Sequence, residues 1–265
     1  MQEKITLSGV PETMLQTVYA RAKETRTRKA VTDLKAVEIA ESIDYDFSTA
    51  NKDKAMHDGV IARTIVLDRL TKNFLEKYPG STVVNIACGL DTRCYRMHGY
   101  SHWYNLDLPE TMAVRSKLLH EEGIISQIKK SAMDDWSECI KERDGKALVI
   151  IEGLTMYLSV EDVKQIFSII QKTFRHVEVL VEVMNPFVVK CFKEKSIEAS
   201  HARFTWGIRN GRELADILPG FEFSGEYSLT KGMEEFMPVY KILDKIPLVR
   251  SISNRIVVVK KDDIF

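Results

Sequence analysis

The stretch Ser81 to Arg96, STVVNIACGLDTRCYR, constrains the fold more than any other. Thr82, Val83, Val84, Ile86 and Ala87 form a short apolar, partly β-branched run behind a Pro79-Gly80 turn, the pattern of a parallel strand buried on both faces. Cys88, Gly89 and Leu90 then form a bend. Asp91 and Thr92 can cap the helix that follows, because their side-chain oxygens accept bonds from its unpaired N–H groups. A buried strand, a tight bend and a helix N-terminus make the ligand-binding corner of an open α/β sheet.

Charge narrows the ligand. A dinucleotide corner needs bare N–H groups for a pyrophosphate, normally within G-x-G-x-x-G. Here the run is A-C-G-L-D-T, and a carboxylate at the helix start repels phosphate. A cationic, hydroxyl-rich ligand suits such a corner better. S-adenosylmethionine, with a sulfonium, an ammonium and a ribose diol, is therefore favoured over a nicotinamide cofactor.

Around this corner, strands and helices alternate. Helical spacing predicts an amphipathic helix over 11–29 and a short one over 36–43. The polar stretch 44–57 reads as a loop or mobile lid, and 58–78 as a long helix leading into the first strand. A second strand, 103–106, ends in Asp107, and Pro109 opens a helix to about residue 120. Strands follow at 124–128, 147–151 and 177–184, with a capped helix from Ser159 and Asp162 to about 174 between the last two. Helices are expected over 187–200 and 213–218, and strands over 220–229 and 255–259 pair as a hairpin at the sheet edge. The expected architecture is a doubly wound α/β sheet of seven strands, mostly parallel, with an antiparallel last strand and a helical N-terminal cap. No Pro-, Gly- or Ser-rich linker divides it. We expect one domain over 1–265, with cap and lead-in helix over 1–80 and the core over 81–265, including insertions around 187–215.

Composition excludes some partners. Lys plus Arg equals Asp plus Glu at 38 each, so no basic surplus points to nucleic acid or an anionic membrane. With no signal core and no run of 18 apolar residues, a cytoplasmic protein is expected. Cys88, Cys94, Cys139 and Cys191 lack metal-ligand spacing, and Gly99 breaks any helix between His98 and His102, so no metal is expected.

Four ordered motifs carry a family resemblance: VVNIACGLDTRCYR, WYNLDLPE with Arg115, SAMDDW, and IIEGLTMYLSVEDV. Together with ARAKET near the N-terminus and IARTIVLD at 61–68, they resemble the leucine carboxyl methyltransferase family. This is a family of class I S-adenosylmethionine-dependent O-methyltransferases with a Rossmann-like fold, and the likeness is nearer to its bacterial polyketide branch. The resemblance implies roles for particular residues. Arg63 resembles the arginine that pairs with the cofactor's carboxylate, and Ala87 and Gly89 lie in the turn beneath its methionine part. Asp107, followed by Leu108, resembles the acid on the ribose hydroxyls, consistent with its place 18 residues beyond Gly89. Met133 and Asp134 resemble the adenine-binding pair, and Glu152 the acid near the methionine end. Asp91 reads as a helix cap rather than a cofactor contact. The family turn usually begins with glycine; with Ala87 there, the expectation is a backbone that does not need positive φ and only a small loss of space.

Tyr157, Arg203, Trp206 and Arg209 are candidates for an acceptor pocket and fit core and rim equally well. No catalytic side chain stands out. Methyl transfer from a sulfonium mainly needs alignment and exclusion of water. A carboxylate acceptor needs no base, whereas a hydroxyl does, so the lack of a recognisable histidine or lysine tilts the reading toward a small-molecule carboxylate. Two other classes compete. A catalytically silent S-adenosylmethionine-binding sensor or scaffold draws on Ala87 and on Asp33-Leu34-Lys35-Ala36, which lacks the proline of the family's N-terminal pattern. A nicotinamide-dependent oxidoreductase is disfavoured by Asp91. Oligomeric state is left open.

Overall fold

A computed structural model describes residues 3–4, 13–191 and 204–262. In chain order, β1 (Glu3–Lys4) is followed by α1 (Thr13–Arg26) and α2 (Leu34–Ser42), and β1 pairs in parallel with β2 (Ile43–Asp44). Even without the proline, Asp33 caps α2, its Oδ1 accepting the Ala36 N–H at 3.0 Å. Residues 44–57 are not a loop. They hold the end of β2, α3 (Ser48–Lys52) and the first turn of α4 (Lys54–Lys77). Two local causes went unread: Asp53 caps α4 through the Met56 N–H at 3.0 Å, and Ala50 packs with Ala20, Met56 and Val60.

The core follows as β3 (Ser81–Ile86), α5 (Arg93–Arg96), β4 (Tyr100–Asp107), α6 (Pro109–Leu118), β5 (Ile125–Lys129), β6 (Lys146–Ile151), α7 (Val160–Thr173) and β7 (His176–Val183). A single 3-10 turn, Thr155–Tyr157, precedes α7, whose start is the expected capping box of Ser159 and Asp162. After β7 come α8 (Pro186–Cys191), a short helix Gly211–Asp216, β8 (Glu222–Ser228), three short helices Thr230–Met233, Tyr240–Leu243 and Pro247–Ile252, and β9 (Arg255–Asp262). The helix expected over 187–200 is present as α8, and the rest of it lies outside the described residues. The helices between β8 and β9 were not anticipated.

The sheet order is β5-β4-β3-β6-β7-β9-β8, parallel from β5 to β7, with β9 antiparallel to both β7 and β8. This matches the expected seven strands, mostly parallel, with β8 and β9 as the antiparallel pair at the sheet edge and β8 outermost. The order reverses at β3, which lies between β4 and β6, so the crevice for a ligand opens beyond its C-terminal end. Alternate residues of the strands feed two cores. Val84, Ile86, Leu106, Val149 and Val179 pack with α7, while Val83, Trp103, Leu148, Leu180 and Val258 pack with Val66, Leu67 and Phe74 of α4. A third cluster joins Met14, Leu15 and Val18 of α1 to Ile39 of α2 and to Leu90. Among the described residues, no helix is long and apolar enough to cross a membrane.

The helix Thr230–Met233 lies against α4 so closely that a Cβ on Gly232 would stand 2.2 Å from the Ala62 carbonyl oxygen. Neither backbone can yield without shifting its helix. Gly232→Ala is therefore expected to destabilise the fold by roughly 1–3 kcal/mol, the cost of overpacking, read as a lower urea midpoint at unchanged slope.

Candidate functional site

The bend after β3 departs from expectation at its first residue. Ala87 has φ +52° and Gly89 φ +48°, so alanine occupies the left-handed region after all. Tertiary bonds force it: the Cys88 N–H donates to the Leu106 carbonyl at 3.1 Å, and the Gly89 N–H to Asp107 Oδ2 at 2.7 Å. The conformation costs an L-residue about 1–2 kcal/mol. Glycine is needed at position 89 on two counts, since a Cβ there would also meet Met14 Cβ at 3.0 Å. Two buried arginines hold the carbonyls of the bend. Arg115 of α6 donates to the Gly89 oxygen and Arg21 of α1 to the Leu90 oxygen, both at 2.8 Å.

Asp91 does not present a bare carboxylate. Its Oδ1 accepts the Arg93 N–H at 3.1 Å, and its Oδ2 takes Arg93 Nη1 and Asn85 Nδ2 at 2.7 Å each. Burial alone would raise its pKa, yet Arg93 and Arg96 hold it well below the usual carboxylate range. The expected phosphate repulsion is thus largely neutralised within the protein. The capping expectation holds for Asp91, whereas the Thr92 hydroxyl donates to Asp33 instead.

Beyond the bend lies a cavity of about 420 Å³, within the usual range for small-molecule sites. Its wall includes Arg63, Ala87, Gly89, Asp107, Leu108, Met133, Glu152 and Tyr157 of the sequence-read residues. Asp107 ends β4 with Oδ2 on the Gly89 N–H and Oδ1 on the Leu108 N–H, the latter also at 2.7 Å. Burial raises its pKa despite these bonds. Arg63, from the middle of α4, reaches across the cavity floor. Its Nε stands 2.7 Å from Glu152 Oε1, and its Nη1 donates to Glu182 Oε2 at 3.0 Å. Glu152 also meets Arg93 Nη1 at 3.1 Å. Even so, Arg63 Nε and Glu152 Oε2 are buried without an aligned hydrogen bond.

Other sequence-read residues lie elsewhere. Asp134 is exposed, its Oδ2 accepting the Ser131 N–H at 3.1 Å, and only Ser131, Ala132 and Met133 of that loop reach the cavity. Trp206 packs against the α7 face of the sheet, its N–H near the Met156 carbonyl at 3.3 Å, and Arg209 is exposed with its N–H on Glu213. Neither enters the wall, because residues 205–209 are bonded down onto the neighbouring loops. Arg203 lies outside the described residues. Sequence reading missed Glu182, whose one available signal was a carboxylate within the last, all-buried half of strand β7. Apolar residues complete the wall, with Met14, Met56, Val60, Met156, Met184 and Phe204, whose ring lies 5.5 Å from that of Tyr157.

Ala87→Gly removes the left-handed strain but adds backbone freedom to the unfolded chain. The variant is expected to gain up to about 1 kcal/mol of stability, measured by urea unfolding.

The profile of the leucine carboxyl methyltransferase family matches residues 14–171. The tetracenomycin polyketide synthesis O-methyltransferase TcmP of Streptomyces glaucescens is 35% identical over 240 residues, covering 86% of each chain. A Gibberella zeae protein named as an S-adenosyl-L-methionine-dependent methyltransferase, dpfgK, is 28% identical over 245 residues, covering 83% of this chain and 82% of that one. The crystal structure of an S-adenosylmethionine-dependent methyltransferase from Anabaena variabilis shares the fold with a TM-score of 0.53 at 12% identity, over 77% of this chain and 86% of that one. The chain belongs to the leucine carboxyl methyltransferase family.

Proposed function

We propose that the protein is an S-adenosylmethionine-dependent O-methyltransferase that methylates a carboxylate or hydroxyl oxygen of a small, largely apolar molecule. One observation carries this reading: a single cavity joins a floor of acids and arginine to an apolar, aromatic wall. The donor set fits the cofactor. Asp107 is the acceptor for the ribose diol, Arg63 takes the α-carboxylate, and Glu152 takes the ammonium. The buried Arg63 Nε and Glu152 Oε2, near a charge but lacking an aligned bond, leave capacity for these two groups. Met133 lies against the adenine. When bound, the cofactor supplies an electrophilic methyl group.

The chain's own part is to position the acceptor and exclude water. Tyr157, Phe204 and Met184 line the acceptor side. The name of TcmP favours oxygen as the target and a polyketide-like acceptor. The silent-sensor reading loses support, because the bend keeps its left-handed form despite Ala87.

Calorimetric titration with S-adenosylmethionine and S-adenosylhomocysteine tests the assignment. Micromolar binding of both is expected, weakened about ten- to hundredfold by Asp107→Ala through lost hydrogen bonds to a charged group. Absence of binding for both ligands overturns the reading.

A further inference from the structure

The ion pairs around the cavity form one connected network with unequal charges. Arg21 pairs with Asp33; Arg96 with Asp33, Asp68 and Asp91; Arg93 with Asp68, Asp91 and Glu152; and Arg63 with Glu152 and Glu182. Among the described residues, four guanidinium groups thus face five carboxylates, leaving one negative charge of the network without a cation. Glu182 is the terminal member. Whereas Asp33, Asp68, Asp91 and Glu152 each meet two arginines, Glu182 meets Arg63 alone among the described residues, and Arg63 is shared with Glu152. The side chain of Glu182 is only 2% exposed, lines the cavity, and has the Gly153 N–H as its other donor at 2.8 Å.

We propose that Glu182 is the counter-charge of the cofactor's sulfonium: it is ionised while the methyl donor is bound and takes up a proton once the donor has become the neutral thioether. The proposal rests on the methyltransferase reading above. The methyl donor brings one net positive charge, from sulfonium, ammonium and carboxylate together, which matches the deficit of the network; Asp107, the other buried carboxylate of the wall, stands outside it on the Gly89 and Leu108 N–H groups. The demethylated product brings none, and an unpaired buried carboxylate is then costly unless it is protonated.

The surroundings of Glu182 favour this. Burial raises its pKa, Arg63 lowers it, Glu152 raises it again, and the outcome is a raised value. The groups facing it are Arg63 from α4 and Glu152 and Gly153 from the segment after β6, with Tyr157 beside Arg63; its register partner on β9, Ile256, is apolar. In turnover the S–CH3 bond breaks as the O–CH3 bond forms. For a hydroxyl acceptor, the released O–H proton ends on a Glu182 oxygen. For a carboxylate acceptor, which releases no proton, Glu182 takes one from solvent. Charge balances in both cases.

No acceptor is needed for the test. S-adenosylmethionine and S-adenosylhomocysteine are titrated separately into the wild-type protein in buffers of different ionisation enthalpy, which counts the protons exchanged on binding. Binding of the homocysteine form is expected to take up about one proton more than binding of the methyl donor near neutral pH. Because the product form binds with the extra proton, its affinity relative to the donor falls as pH rises, approaching tenfold per pH unit. Glu182→Gln abolishes the difference in proton count. Equal counts for both ligands in wild type overturn the proposal while leaving the cofactor site intact. A difference that survives Glu182→Gln assigns the proton elsewhere and overturns it too. Failure of both ligands to bind removes the methyltransferase reading and the proposal with it. If Glu182→Gln does not fold, Asp107→Asn takes its place, because Asp107 is another buried carboxylate of the cavity whose pKa burial raises: a proton difference kept in that variant sustains the proposal, and one lost there overturns it.

Discussion

Two guanidinium groups on the carbonyls of the bend after β3 are the constraint on which the rest of the site depends. Arg115 and Arg21 approach from α6 and α1 and hold the Gly89 and Leu90 oxygens, which fixes where the intervening peptides can face. Buried cations need partners of their own. Arg115 pairs with Glu121, both completely buried, and Arg21 pairs with Asp33 at 2.9 Å. Asp33 in turn caps α2 and accepts the Thr92 hydroxyl, so one carboxylate serves the N-terminal cap and the bend after β3 together. Burial works against its ionisation, but Arg21 and Arg96 keep its pKa below the usual range. The cap is thereby part of the machinery of the bend rather than a cover laid over it.

What could be read from sequence was what short-range chemistry dictates. The apolar run of β3, the Ser159–Asp162 box and the acid ending β4 each announce themselves within a few residues, and all three stand where they were expected. Ala87 shows the limit. Its side chain argues against positive φ, and only bonds to Leu106 and Asp107, well separated in sequence, overrule it. Asp91 shows the same limit for charge, since a carboxylate read alone looks acidic, while its partner Arg96 sits five residues on and folds back upon it.

Glu182 was hidden for a related reason. A strand run such as HVEVLVEV reads as buried, and nothing local says which of its two glutamates will meet an arginine from a helix more than a hundred residues earlier. Asp134 lies on the exposed side of its loop, and Trp206 and Arg209 take the core and rim places that the sequence left open beside an acceptor pocket. The stretch 44–57 misled by composition: its polar residues are those of the short α3 and the first turn of α4, held by the Asp53 cap and by a Lys23–Asn51 bond at 2.8 Å.

The segment between β8 and β9 looks at first like decoration, since a sheet of this order can be closed by a plain hairpin. Its first helix nevertheless lies with Gly232 on the Ala62 carbonyl, one residue before Arg63. Phe236, a few residues on, carries the Arg28 guanidinium 4.5 Å over its ring, and Glu235 pairs with Arg69. The segment therefore acts as a buttress that sets the depth and rotation of α4, and with them the reach of the cavity's arginine. Anyone shortening it to simplify the scaffold would keep the sheet and shift Arg63 within the cavity.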